Sequence, residues 1–314
     1  MISFDCNFDI IIADDLLEKY DQLLLPKLMA QYYRENICPP VKTHQKNHRS
    51  WTEYTRNRLT ADRFREVLKM RSTTQIGTKL TGYLDTSFTP RIQNDLTQRY
   101  RKKKSKMVMR EDRFLDVITD NPGLQVINGR IGLGATPDAR AVTKHRRPSE
   151  LRHTYVAIFW NTAGGLKRNK KKNIKSAVKD GVGFISKELE IINNTEYRLK
   201  RNDSKYYCAA AGLLSAYPNA IACDLVIFGR GCNDVQIIQI NRQQLPTIEW
   251  EKLEDFYVGA LLPELAFTER REEYGIREEM LDPITIHRVK NECLECEKEY
   301  ESRVFGFMTE IFRG

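Results

Sequence analysis

The chain has 314 residues, 41% of them hydrophobic and 10% aromatic, with 51 Lys and Arg against 42 Asp and Glu, a net charge of +9 and a pI near 9.1. That is enough apolar material for a full core in one large or two small domains, which excludes a disordered chain, and the cationic excess points to nucleic acid or an acidic partner. No apolar run approaches a membrane span, "MISFDCNFDIII" lacks the basic start and cleavage site of a signal peptide, and seven scattered cysteines fit a reducing compartment better than a disulfide framework.

Residues 8–36 place apolar side chains at helical spacing, with Asp14 and Asp15 as starters and Pro26 expected to break or kink the helix. "ICPPVKTHQKNHRS" reads as a loop or linker, so a boundary is set near residue 45. The pattern from Trp51 is helical again, with Leu59, Phe64, Val67 and Leu68 on one stripe. A further helix opens at Thr89-Pro90, a cap followed by proline at the first helical position. "GLQVINGRIGLGATPDARAV" holds short β runs split by glycines. "TYVAIFW" is β-branched, aromatic and apolar on both faces, which predicts a strand central in its sheet.

"YYCAAAGLLSAY" predicts a helix packed closely on a sheet through its small residues. "ACDLVIFGRGCNDVQIIQIN" predicts two strands joined by a turn at Gly229 to Gly231, and "WEKLEDFYVGALLPEL" a helix with Pro263 near its end. The stretch "IHRVKNECLECEKEYESRVFGFMTEIF" is long, charged and amphipathic, suited to the core or to a partner helix. Its Cys293 and Cys296 have no second pair nearby, and His287 is poorly spaced, so free thiols are expected rather than zinc. The division predicted is an N-terminal helical extension (1–45), an α/β domain (46–270) and a C-terminal helical tail (271–314).

Several of these stretches, in this order, resemble the YqaJ-like viral recombinase and lambda-exonuclease family of the PD-(D/E)XK nuclease class. "WTEYTRNRLTADRF" is similar to its W…R…R-(L/I)-T-A-S-x-F opening, and "GLGATPDARAV" to its G-A-(S/T)-P-D-G. Residues 173–216 are similar to the stretch ending in its glutamine-bearing helix, "ACDLVIFGRG" to its following strand, and "LEDFYVGALLPEL" to its closing helix. The resemblance covers residues 50–268. It implies an α/β fold of the restriction-endonuclease type, lambda-exonuclease variety: a central mixed sheet of about five strands flanked by helices, with helical extensions at both ends.

It also implies a magnesium site for phosphodiester hydrolysis, built from converging carboxylates with a lysine two residues beyond the strand glutamate. Carried over residue by residue, Asp138 matches the aspartate, while Ala157 stands at the glutamate and Phe159 at the lysine. Arg99 falls near the helix glutamate, Ala209 and Ala211 at two glutamines, and Asp62 at a phosphate-facing serine. The expectation is therefore a degenerate site with no cofactor, Phe159 buried in it, and a chain that is not an enzyme. The alternative is an active magnesium-dependent DNA exonuclease with rearranged ligands, and a third reading is a protein scaffold without nucleic-acid contact.

Three basic stretches remain: "RYRKKKSK" (99–106), "KHRRP" (144–148) and "KRNKKK" (167–172). They read as nuclear localisation signals or phosphate-binding patches, so Arg56, Arg58, Lys102, Lys103, Lys104, Arg146, Arg147, Lys170, Lys171 and Lys172 are the candidate contacts. The partners expected are a DNA or RNA backbone held without sequence preference and a protein of a nuclear complex.

Overall fold

A computed structural model of the chain describes residues 14–38, 57–71, 76–77, 80, 93–110, 114–145, 152–162, 166, 173–192, 196–200, 204–229, 235–267 and 279–311. In chain order the elements are α1 (Asp14–Asn36), β1 (Leu59–Thr60), a 3-10 turn (Ala61–Arg63), α2 (Phe64–Leu68) and α3 (Gln93–Val108). Then come β2 (Phe114–Asp120), β3 (Gln125–Val126), β4 (Leu133–Ala135), β5 (Ala139–His145) and β6 (Thr154–Asn161). The next segment holds α4 (Ile174–Lys179), α5 (Gly183–Ser186), β7 (Leu189–Ile192), β8 (Glu196–Leu199) and α6 (Lys205–Ala216). The last holds β9 (Ala220–Phe228), β10 (Val235–Asn241), α7 (Trp250–Phe256), a π turn (Tyr257–Leu261), α8 (Leu262–Ala266) and α9 (Pro283–Ile311).

The main sheet runs β10-β9-β6-β5-β2, with β6 parallel to β9 and the other neighbours antiparallel. This is the mixed five-stranded α/β sheet that the sequence predicts, with "TYVAIFW" in its middle. β6 is buried on both sides because each of its faces meets a helix. Val156 joins the larger core beneath α6, while Tyr155 and Ala157 join a second core beneath α3. A three-stranded sheet, β1-β4-β3, and the hairpin β7-β8 flank it.

α3 lies on its face of the sheet through Leu96, Tyr100, Lys104 and Val108, four residues apart, and leaves Lys102 and Lys106 outward. α6 is buried from Tyr206 to Leu214. Its small residues permit the close approach expected of them: a Cβ on Gly212 would lie 2.5 Å from the Ala61 Cβ. Ser204 caps this helix, its side chain accepting from the Tyr207 N–H.

Some expectations change. α1 continues through Pro26 rather than breaking, since Met29, Ala30, Tyr33 and Ile37 bury one face of it. Strand β2 and the β7-β8 hairpin were not anticipated. The closing helix carries a π turn where a regular helix was expected. Pro263 has no N–H to give to the Gly259 carbonyl, and that carbonyl instead accepts from Leu281 N at 2.9 Å. The cap expected at Thr89-Pro90 lies outside the described residues.

α9 packs on α1 and on the larger core through Val289, Cys293 and Cys296. The Tyr33 hydroxyl donates to Glu297 Oε1 at 2.5 Å, and the Cys38 thiol donates to the Cys296 carbonyl at 3.1 Å. Burial pushes the Cys38 thiol up to about 11 and the Cys293 thiol up as well.

Candidate nucleic-acid interface

Strands β5 and β6 part at a fork. Ala139 is the last β5 residue opposite β6, facing Ala157, and β6 continues to Asn161 with only β9 beside it. Asp138 closes the fork. Its N–H donates to the Ala157 carbonyl at 2.8 Å, and its Oδ2 accepts from Phe159 N at 2.7 Å, so the carboxylate extends the ladder by one rung. Asp138 stays half-exposed while doing so. Phe159 is half-buried rather than buried. Its ring meets Tyr100 and Phe228 edge to face, at centroid distances of 5.9 and 5.2 Å, and β5 ends too early to cover the rest.

Under α3, and beside Ala157 in register, Asp224 is fully buried. Lys104 meets it at 2.8 Å, the Tyr100 hydroxyl donates to it at 2.6 Å, and the Lys104 ammonium lies 3.4 Å from the Tyr155 ring centroid. Burial, then the Asp224 charge, pushes the Tyr100 phenol well up, so it stays a donor. This corrects the assignment of Lys104 to phosphate binding, because its side chain is 1% exposed and its charge is spent on Asp224. Asp224 and Tyr100 were missed. A lone acid inside "ACDLVIF" was the available signal, since a buried carboxylate must find a counter-charge.

Arg58 is not a phosphate contact either. It is buried at the entry to β1, where its Nη2 donates to the Ile37 carbonyl at the end of α1. Arg99 is held by Asp95, one turn away, with Nη2 2.5 Å from Oδ2. Ala209 and Ala211 are buried in α6, on the face of the sheet away from α3. Arg56, Arg146, Arg147, Lys170, Lys171 and Lys172 lie outside the described residues.

What remains solvated is a cationic end of the sheet. Lys102, Lys106 and Arg110 are exposed on and just after α3, and Lys103 is half-buried. Arg101 bonds Asp116 of β2, and Asp116 is paired in register with the exposed Lys144 of β5. Arg152, exposed, enters β6 at the same end. None of Lys102, Lys103, Lys106, Arg110, Lys144 and Arg152 makes an ion pair among the described residues.

Magnesium needs several converging oxygen ligands. Asp138 is the one acid of the expected set, and among the described residues no three His, Cys, Asp or Glu side chains converge on a metal position. Cys293 and Cys296 are buried in the larger core.

No family model matches the chain, and no curated protein matches it. Two solved structures are similar to it, both of an alkaline exonuclease from Laribacter hongkongensis. One covers 85% of this chain and 99% of that one at 12% identity, with a TM-score of 0.34. The other, the same exonuclease in complex with dAMP, covers 82% and 94% at 12% identity, with a TM-score of 0.31. The likeness is to an exonuclease fold and does not single out the YqaJ-like branch. Both structures are of an exonuclease, a finding that runs against the expectation of a chain that is not an enzyme.

Proposed function

We propose that this chain binds nucleic acid, DNA in the first place, along the phosphate backbone and without sequence preference, on a lambda-exonuclease-type scaffold. The observation that carries the reading is a set of exposed and half-buried cations at one end of the main sheet that make no ion pair among the described residues. Lys102, Lys103 and Lys106 on α3 stand over the end where Lys144 leaves β5 and Arg152 enters β6. Flexible lysines without acidic partners can exchange water and counterions for phosphate oxygens, and such contacts read charge spacing rather than bases. Nuclear import through the stretches 99–106 and 167–172, and assembly with a protein partner there, belong to the same reading.

The test is titration of labelled 30-base duplex and single-stranded DNA with the full chain across a salt series. The triple variant Lys102→Ala, Lys103→Ala, Lys106→Ala is expected to weaken binding alike for all sequences. It should lower the log–log salt slope by up to roughly 2–3, at about 0.7–0.9 for each phosphate no longer neutralised. Unchanged affinity and slope would overturn the assignment. The same incubations with Mg²⁺ or Mn²⁺ read strand cleavage, and cleavage abolished by Asp138→Ala would make the fork the reacting centre.

A further inference from the structure

We propose that Trp160, backed by Tyr206, is a stacking platform for an unpaired nucleobase, with Lys205 taking the adjoining phosphate. The proposal rests on the nucleic-acid reading and says where on the fold a single strand or frayed end would sit.

Trp160 lies in the part of β6 that outruns β5, opposite Ile227 of β9 and on the α6 side of the sheet. Its indole stacks on the Tyr206 ring, centroids 4.9 Å apart and planes at 30°. Tyr206 is 6% exposed, fixed in the first turn of a capped helix, and Lys205 places its ammonium 5.1 Å from the same ring. The platform is thus held rigidly from behind, and the cation beside it is exposed. Trp160 itself is half-buried. Its indole N–H makes no hydrogen bond among the described residues.

The surrounding charge selects the occupant. Glu188 lies near enough to Tyr206 to push its phenol further up, beyond what burial alone does. A carboxylate there repels a phosphate at the rings but not the flat face of a base, and the phosphate goes to Lys205. Stacking of this kind accepts any base, which suits backbone-led binding. In duplex DNA the base faces are already stacked on one another, so the platform discriminates for single strands.

The experiment uses the full chain with a 12-nucleotide oligo(dT) and a blunt 12-base-pair duplex. Wild-type tryptophan fluorescence should be quenched by the oligonucleotide, and Trp160→Phe, which keeps a stacking ring, should remove that quenching while binding persists. Trp160→Ala should weaken single-strand binding on the order of tenfold, the scale of one base stack, and leave duplex binding unchanged. Lys205→Ala should weaken single-strand binding less and lower its salt slope by about 0.7. Quenching that survives in Trp160→Phe, or single- and double-strand affinities that fall together in Trp160→Ala, overturns the platform alone. Wild-type chain that binds neither DNA overturns the nucleic-acid reading beneath it.

Discussion

Lys104 carries a full charge into the sheet and is stable there because three groups answer it: Asp224, the Tyr155 ring and Gln239 at 3.4 Å. Removing one member of such a pair strands the other in a low-dielectric site. Lys104→Met is expected to cost about 3–5 kcal/mol, read as a fall in the urea midpoint. Adding Asp224→Asn should recover most of the loss, because Asn keeps an acceptor for the Tyr100 hydroxyl without a charge. A double variant as unstable as the single one would mean that the pair is not what holds α3 down. Little of this cluster was legible beforehand. Lys102, Lys103 and Lys104 are adjacent and identical in type, and only the rotation of α3 turns one inward. Asp138 was legible as the match to the motif aspartate but not as the rung that binds Phe159. That role depends on β5 stopping where it does.

At the level of elements, α3 is tied to β2 by one carboxylate. The Ser105 hydroxyl donates to Asp116, Arg101 meets the same side chain at 2.8 Å, and the Arg101 Nε donates to the Val117 carbonyl. The Ser105 bond, with the Val117 N–H and Arg101, holds Asp116 down at about 2 against an opposing burial effect. A carboxylate lowered in the folded state stabilises it fully above the unfolded value near 4 and less as pH falls through about 2. Ser105→Ala should therefore move the Asp116 titration upward in an NMR series and shift acid unfolding to higher pH. An unmoved titration would assign the lowering to Arg101 instead. β2 itself escaped notice in the sequence because Asp116 and Asp120 look like loop punctuation; one is spent on α3 and the other on Arg140. A second contact between elements is stricter. Gly132 has φ +65°, and a Cβ there would lie 1.9 Å from the Tyr257 ring. Gly132→Ala combines left-handed strain with overpacking and should cost about 2–5 kcal/mol in the same unfolding assay. A loss under about 1 kcal/mol would mean that the ring can move aside.

Over the whole molecule, β6, β9 and β10 were accessible as strands, and β6 as a central one, because apolar residues run along both faces of β6 and β9; the full strand order was not, since β2 gave no signal. The packing of α1 on α9 was not, since nothing local reports a pairing between segments this far apart. Truncating the chain before Pro283 is expected to uncover Met29, Tyr33 and Ile37, giving a protein that binds a hydrophobic dye and unfolds with a shallower denaturant slope. A truncated chain with unchanged slope and no dye binding would count against the shared core. The same pairing sets a clock on biosynthesis. Tyr33 and its partner Glu297 are 264 positions apart. At about 5–20 residues per second, α1 leaves the ribosome roughly 13–50 s before the helix that covers it exists. For that interval its apolar face has no intramolecular cover from α9, and a chaperone would have to stand in for it.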